Sequence, residues 1–223
     1  GNSPGVLTVS GSVTNAAGST FNVEIDGPAT GMGAGSYDRL VLTGAGSTYT
    51  AGGTLNLLLR GISGAANNNY QPGLGQGFQF VTAPGGILGS YANVTPPAAG
   101  LLPGTRMDLI FGSTSLAAYV TPASYAELDA LGIRNNRNRQ QIGGILESIR
   151  PAVGQRAADA ESQAIFAGLA PQTQQTLPQN LDQLAGVGYA QLLAVNSENT
   201  RFMTEQALMV ASRQRRNETM STL

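Results

Sequence analysis

The chain has 223 residues, 41% of them hydrophobic and only 11% charged, with a net charge of −1. That supplies apolar material for a core in one or two domains, and too little positive charge for electrostatics to drive nucleic-acid binding. Cysteine, histidine and lysine are all absent. Their absence excludes disulfides and thiolate metal sites, Ser-His-Asp or Cys-His machinery, a Walker-type phosphate loop and a Schiff-base lysine.

Up to Pro122 the chain alternates short apolar runs with glycine-rich turns; beyond it helix-forming residues take over. Of the 30 glycines, 23 precede Pro122, whereas 9 of the 12 arginines follow it. Three runs alternate strictly: Phe21, Val23 and Ile25; Leu40 and Leu42; Leu55, Leu57 and Leu59. Alternation of this kind marks strands with one buried face. Val23, Leu40 and Leu57 recur every 17 positions, with turn signals between them at Asp26-Gly27-Pro28, Gly44-Ala45-Gly46 and Ala51-Gly52-Gly53.

A repeat near 20 residues predicts a solenoid, with each coil burying the apolar face of its neighbour. The predicted fold is mainly β then α: the end of a right-handed single-stranded parallel β-helix with an irregular cap, followed by a helical segment. Short strands at regular spacing also suit an antiparallel sandwich. The predicted folding core is Val23, Ile25, Leu40, Leu42, Leu55, Leu57, Phe78 and Phe80. Between Phe78 and Val120 the prolines at 84, 96, 97 and 103 break the pattern, which suits a hairpin-like or irregular cap over the last coil.

Residues 122–223 form the predicted helical part, against 1–121 for the β part. Pro122 and Ser124 open a stretch with Tyr125, Leu128 and Leu131 at three-residue spacing. Ile142, Ile145, Leu146 and Ile149 predict a helix that Pro151 ends, and Ala157 to Leu169 predicts a second, stopped by Pro171. Leu177, Leu181 and Leu184 suggest a short third. From Tyr189 to about Arg216 a long segment includes Leu193, Arg201, Phe202 and Met209. About 20 helical residues span roughly 30 Å. The polar residues of this segment suit a water-lined pore, or a helix packed on a neighbour, better than lipid. Arg213, Arg215 and Arg216 read as a solvated helix end.

The phrases Gly5-Val-Leu-Thr-Val, Ser19-Thr-Phe-Asn-Val-Glu-Ile, Tyr37-Asp-Arg-Leu-Val-Leu-Thr-Gly, Gly53-Thr-Leu-Asn-Leu and Tyr70-Gln-Pro-Gly resemble the end of the passenger of monomeric type V autotransporters. Leu181-Asp-Gln-Leu-Ala-Gly, Tyr189-Ala and Arg201-Phe resemble the linker before the translocator barrel of that family. The resemblance implies a non-enzymatic secretion and surface module that caps the passenger and nucleates its folding during export, in an adhesin-like virulence protein. It implies a place at the bacterial surface or outer membrane. Its implied partners are the protein's own downstream barrel, its upstream passenger coils and a host-surface ligand reached through the passenger. The opening at Gly1-Asn2-Ser3-Pro4 falls mid-pattern, and no barrel strands precede Leu223, so the chain reads as part of a longer protein.

No catalytic, metal or cofactor residues are expected. Asp26, Asp38 and Asp108, with Arg39, Arg60 and Arg106, are the charges available to an acid–base site for polysaccharide cleavage, but turn hydrogen bonds and surface pairs account for them. Asn135-Asn136 matches the Asn-Asn cleavage site of some autotransporters, yet lies far upstream of the pore segment. The alternatives are a fragment of a β-helical carbohydrate-active enzyme and a helical module that binds a partner.

Overall fold

Each alternating run forms a strand, but consecutive runs do not stack on one another. The computed structural model describes residues 3–186. The strands are β1 (Val6–Ser10), β2 (Val13–Thr14), β3 (Thr20–Glu24), β4 (Arg39–Thr43), β5 (Thr48–Ala51), β6 (Thr54–Leu58), β7 (Gly77–Thr82), β8 (Gly86–Gly89), β9 (Asn93–Thr95), β10 (Thr105–Phe111) and β11 (Ser115–Pro122). They form three sheets, ordered β1-β4-β7-β11-β10, β2-β5-β8 and β3-β6-β9.

Pairing is parallel from β1 through β9. Leu7 faces Leu40, Val23 faces Leu57 and Tyr49 faces Ile87, so partners lie 33 to 38 residues apart. The 17-residue spacing therefore joins strands of different sheets: Val23 and Leu57 share one, and Leu40 belongs to another.

The expected solenoid end is corrected accordingly. The fold is mixed α/β, with three short sheets of mostly parallel strands and helices on the same compact unit, Gly1–Leu181 (Asp182–Leu223 forms another). One feature breaks the coil pattern: the β10–β11 hairpin joins the large sheet antiparallel to β7. Of the hairpin-like or irregular forms expected for this stretch, the hairpin is the one found, regular over seven pairs from Thr105↔Pro122 to Phe111↔Leu116. The interrupting prolines fall outside these strands: Pro84 precedes β8, Pro96-Pro97 follow β9 and Pro103 precedes β10.

All eight predicted core residues are buried in one cluster. Its aromatic rings meet edge to face, as Tyr37 does on Phe78 at 5.4 Å, or tilted, as Phe21 does on Phe80 at 6.0 Å.

After β11, the Tyr125–Leu131 stretch makes only a 3-10 turn at Asp129–Leu131, ended by Gly132 in the left-handed conformation, instead of the expected helix. Helix α1 spans Arg137–Ile149; the Asn136 side chain caps it by accepting from the Arg139 amide at 2.9 Å. Arg150, held extended by the following Pro151, stops it. Helix α2 spans Ala160–Leu169, capped by Asp159, and residues 177–186 are helical. Leu146 is buried, but Ile145 and Ile149 are exposed. Gly143 makes the close contact instead: a Cβ there would lie 2.2 Å from the Tyr125 carbonyl oxygen. No helix among the described residues is long and apolar enough to cross a membrane.

Candidate functional site

Parallel sheets with different closures at their two ends leave an asymmetric body. At one end β1, β2 and β3 are the outermost strands of their sheets, and on their outer sides the one backbone partner among the described residues is Asp38, whose amide donates to the Glu24 carbonyl at the end of β3 at 2.8 Å. All three border one open groove of about 460 Å³. Its apolar lining comes from Leu7 and Val9 on β1, Val13 on β2 and Phe21 on β3, with Tyr49 beneath. Leu7 is 62% exposed whereas its ladder partner Leu40 is 6% exposed. The difference arises because Leu40 has a strand on each side and Leu7 has one. An edge of this kind, with free N–H and C=O groups beside apolar side chains, is a template for further strands.

The opposite end is covered at β7, β8 and next to β9, and the large sheet ends in β10. Strand β11 pairs with β7. At β8, the Ile87 amide donates to the Ser113 carbonyl at 3.1 Å, and Arg156 fills the place of a further strand. Arg156 Nε donates to the Gly89 carbonyl at 2.7 Å and its Nη2 to the Ile87 carbonyl at 2.5 Å, while the guanidinium lies 4.6 Å from the Phe111 ring centroid. Gln155 donates to the Tyr91 carbonyl at 2.8 Å, and the Tyr91 amide to the Gly154 carbonyl at 3.1 Å. Gly154 has φ +92°, and a Cβ there would sit 2.6 Å from Val94 Cγ2, so only glycine lets the segment 150–156, a strap across this end, lie this close to β9. Beyond β9, Pro96-Pro97 cannot donate to a new ladder.

Arg150 fastens the strap. Its side chain, 3% exposed, pairs with Asp108 on β10 and Glu147 on α1, donates to Thr121 Oγ1 and the Pro122 carbonyl, and lies 4.6 Å from the Tyr125 ring centroid. Arg106 takes the other Asp108 oxygen at 2.8 Å.

The remaining predicted charges are structural in placement. Asp26 is buried; burial raises its pKa, but the amides of Asn67, Gly35 and Asn68, donating to it at 2.7–2.9 Å, outweigh that and hold it below the usual carboxylate range. Asp38 accepts from the Gly5 amide at 2.6 Å and the Glu24 amide at 2.9 Å. Burial, then the Asp38 charge, push Glu24 up. Arg60 donates to the Tyr70 carbonyl at 2.5 Å and Arg39 to that of Thr30 at 3.4 Å. Asn135 donates to the Ala126 carbonyl and Asn136 caps α1, so this pair has structural partners. In the core the Tyr49 and Tyr91 hydroxyls share a 2.7 Å hydrogen bond, and burial pushes the Tyr49 phenol up to about 12. Among the described residues no group of three or more acidic side chains is placed to hold a metal.

Leu193, Arg201, Phe202 and Met209, the expected pore or linker helix, lie outside the described residues. Sequence reasoning missed Arg150, Gln155 and Arg156. Pro151 signalled the extended backbone at Arg150, but nothing local marks the partners of Arg156, 67 and 69 positions away.

No protein-family model, no curated protein and no solved structure matches the chain.

Proposed function

We propose that this chain is a non-enzymatic end module of an exported autotransporter-type surface protein. In this reading it closes one end of the passenger and offers the other as a folding template. The observation that carries it is the groove bordered by three parallel strand edges, with the far end covered by the hairpin at β7 and by Arg156 at β8. An upstream segment arriving there adds strands to edges already formed, so it avoids the cost of closing a long loop before any contact is made. Backbone hydrogen bonds supply affinity, as in other cases of strand addition, and the apolar groove selects alternating side chains. The phrases Tyr37-Asp-Arg-Leu and Gly53-Thr-Leu-Asn-Leu, which suggested the family, form or adjoin β4 and β6, the strands directly beneath this edge.

The acid–base alternative finds less support, since Asp26 and Asp108 are each held by several structural partners. Exposed Ile145 and Ile149 favour a helical docking role as the second reading. The test is Leu7→Lys with Val9→Lys in the complete exported polypeptide. Reduced secretion, or an upstream passenger that proteases digest, is the expected result. Unchanged secretion and protease resistance would overturn the reading.

A further inference from the structure

The outer face of the β3-β6-β9 sheet has a side-chain ladder as well as a backbone one. Asn22, Asn56 and Thr95 are stacked in register. Asn56 Nδ2 donates to Asn22 Oδ1 at 3.0 Å, so the amide of the inner layer donates toward the open end. Asn22 is the last member there. It is exposed and borders the groove, and no described group accepts from its Nδ2. A parallel ladder repeats by translation, so the same geometry calls for an acceptor oxygen one layer further out. A second copy of the chain stacked head to tail does not supply that layer, because the far end is occupied by the hairpin and by Arg156.

We propose that Asn22 is a specificity-determining residue of the open end. It sets the register of an incoming extended segment by donating to a side-chain amide oxygen, that of an asparagine flanked on each side by the apolar residues facing Phe21 and Val23. This rests on the open end being a strand-accepting template. The apolar groove says which face of the newcomer turns inward; the alternation leaves slips of two residues undecided, and these are what a polar ladder excludes.

The test uses the full 223-residue chain and a synthetic peptide copying residues 5–26, the chain's own outermost layer, followed by fluorescence anisotropy and amide exchange. A second peptide has alanine in place of the residue copied from Asn22. The first peptide is expected to bind saturably and to slow exchange in β1 and β3. The alanine peptide is expected to bind about two- to fivefold more weakly, the value of one exposed hydrogen bond. Asn22→Ala in the protein is expected to abolish that discrimination between peptides. Binding with equal discrimination by both proteins, or with none by the wild type, overturns the role of Asn22 and leaves the template reading standing. Failure of the first peptide to bind, or protection elsewhere than β1 and β3, overturns both.

Discussion

Arg150 Nε lies 3.0 Å from Asp108 Oδ2, joining the residue after α1 to the middle of β10 across 42 positions. The same guanidinium reaches Thr121, Pro122 and Glu147 and is almost wholly buried. Removing it leaves Asp108 with Arg106 as its one counter-charge and Glu147 with the Tyr125 amide alone. Arg150→Ala is expected to cost about 3 kcal/mol, measured by urea unfolding. Arg150→Lys is expected to recover little of it, since a point charge does not reproduce the fork that binds Asp108 and Thr121 together. A loss under 1 kcal/mol would show the clasp to be dispensable.

The tyrosine pair predicts a cycle. Tyr49→Phe leaves the Tyr91 hydroxyl buried without its partner, at a cost of about 1–3 kcal/mol, and the double change to phenylalanine is expected to cost less than the two single changes together. The pH dependence follows from the raised phenol. Folding favours the protonated form, so the contribution of Tyr49 to stability is intact below its ordinary value of 10.0 and is lost as pH rises toward about 12. Tyr49→Phe should flatten that alkaline loss in denaturation curves.

Glu24 works in the opposite sense to a salt-bridged carboxylate. Its pKa is raised, so the folded state binds the proton more tightly and the ionised group disfavours folding at neutral pH. Glu24→Gln is expected to raise the urea midpoint at pH 7, by less than about 1 kcal/mol because the group is partly solvated, and the gain should vanish as pH falls below the ordinary carboxylate range.

Arg156 shields an edge. Without it, the carbonyls of Ile87 and Gly89 lose their donors and β8, still paired with β5, has an unpaired outer edge there. Arg156→Ala is expected to make sedimentation concentration-dependent while the wild type stays unchanged over the same range. Identical profiles would remove Arg156 from this role.

The residues show why faces were easier to read than partners. Alternation at Phe21–Ile25 and Leu55–Leu59 identifies inward positions, because side chains in a strand alternate by geometry alone. It carries no record of which strand lies alongside, so the even spacing of Val23, Leu40 and Leu57 suggested a stack that the pairing does not follow. Helix α1 was legible through Pro151 and the apolar set Ile142, Ile145, Leu146 and Ile149, of which Leu146 is buried and Ile145 and Ile149 are exposed; the closest approach is made by Gly143, whose lack of a side chain leaves no mark in an apolar pattern. Tyr125, Leu128 and Leu131 have helical spacing, yet Gly132 ends the turn after three residues. The open groove was not legible, since it exists only once β1, β2 and β3 are brought to one end.

Residue-resolved amide exchange on the 223-residue chain tests the central asymmetry most directly. The outward-facing amides of β1, and of β3 before Glu24, should exchange at least about a hundredfold faster than those of Ile87 and Tyr91, which are bonded to Ser113 and Gly154 at the covered end. Equal protection at both ends would contradict a module with one strand-accepting edge.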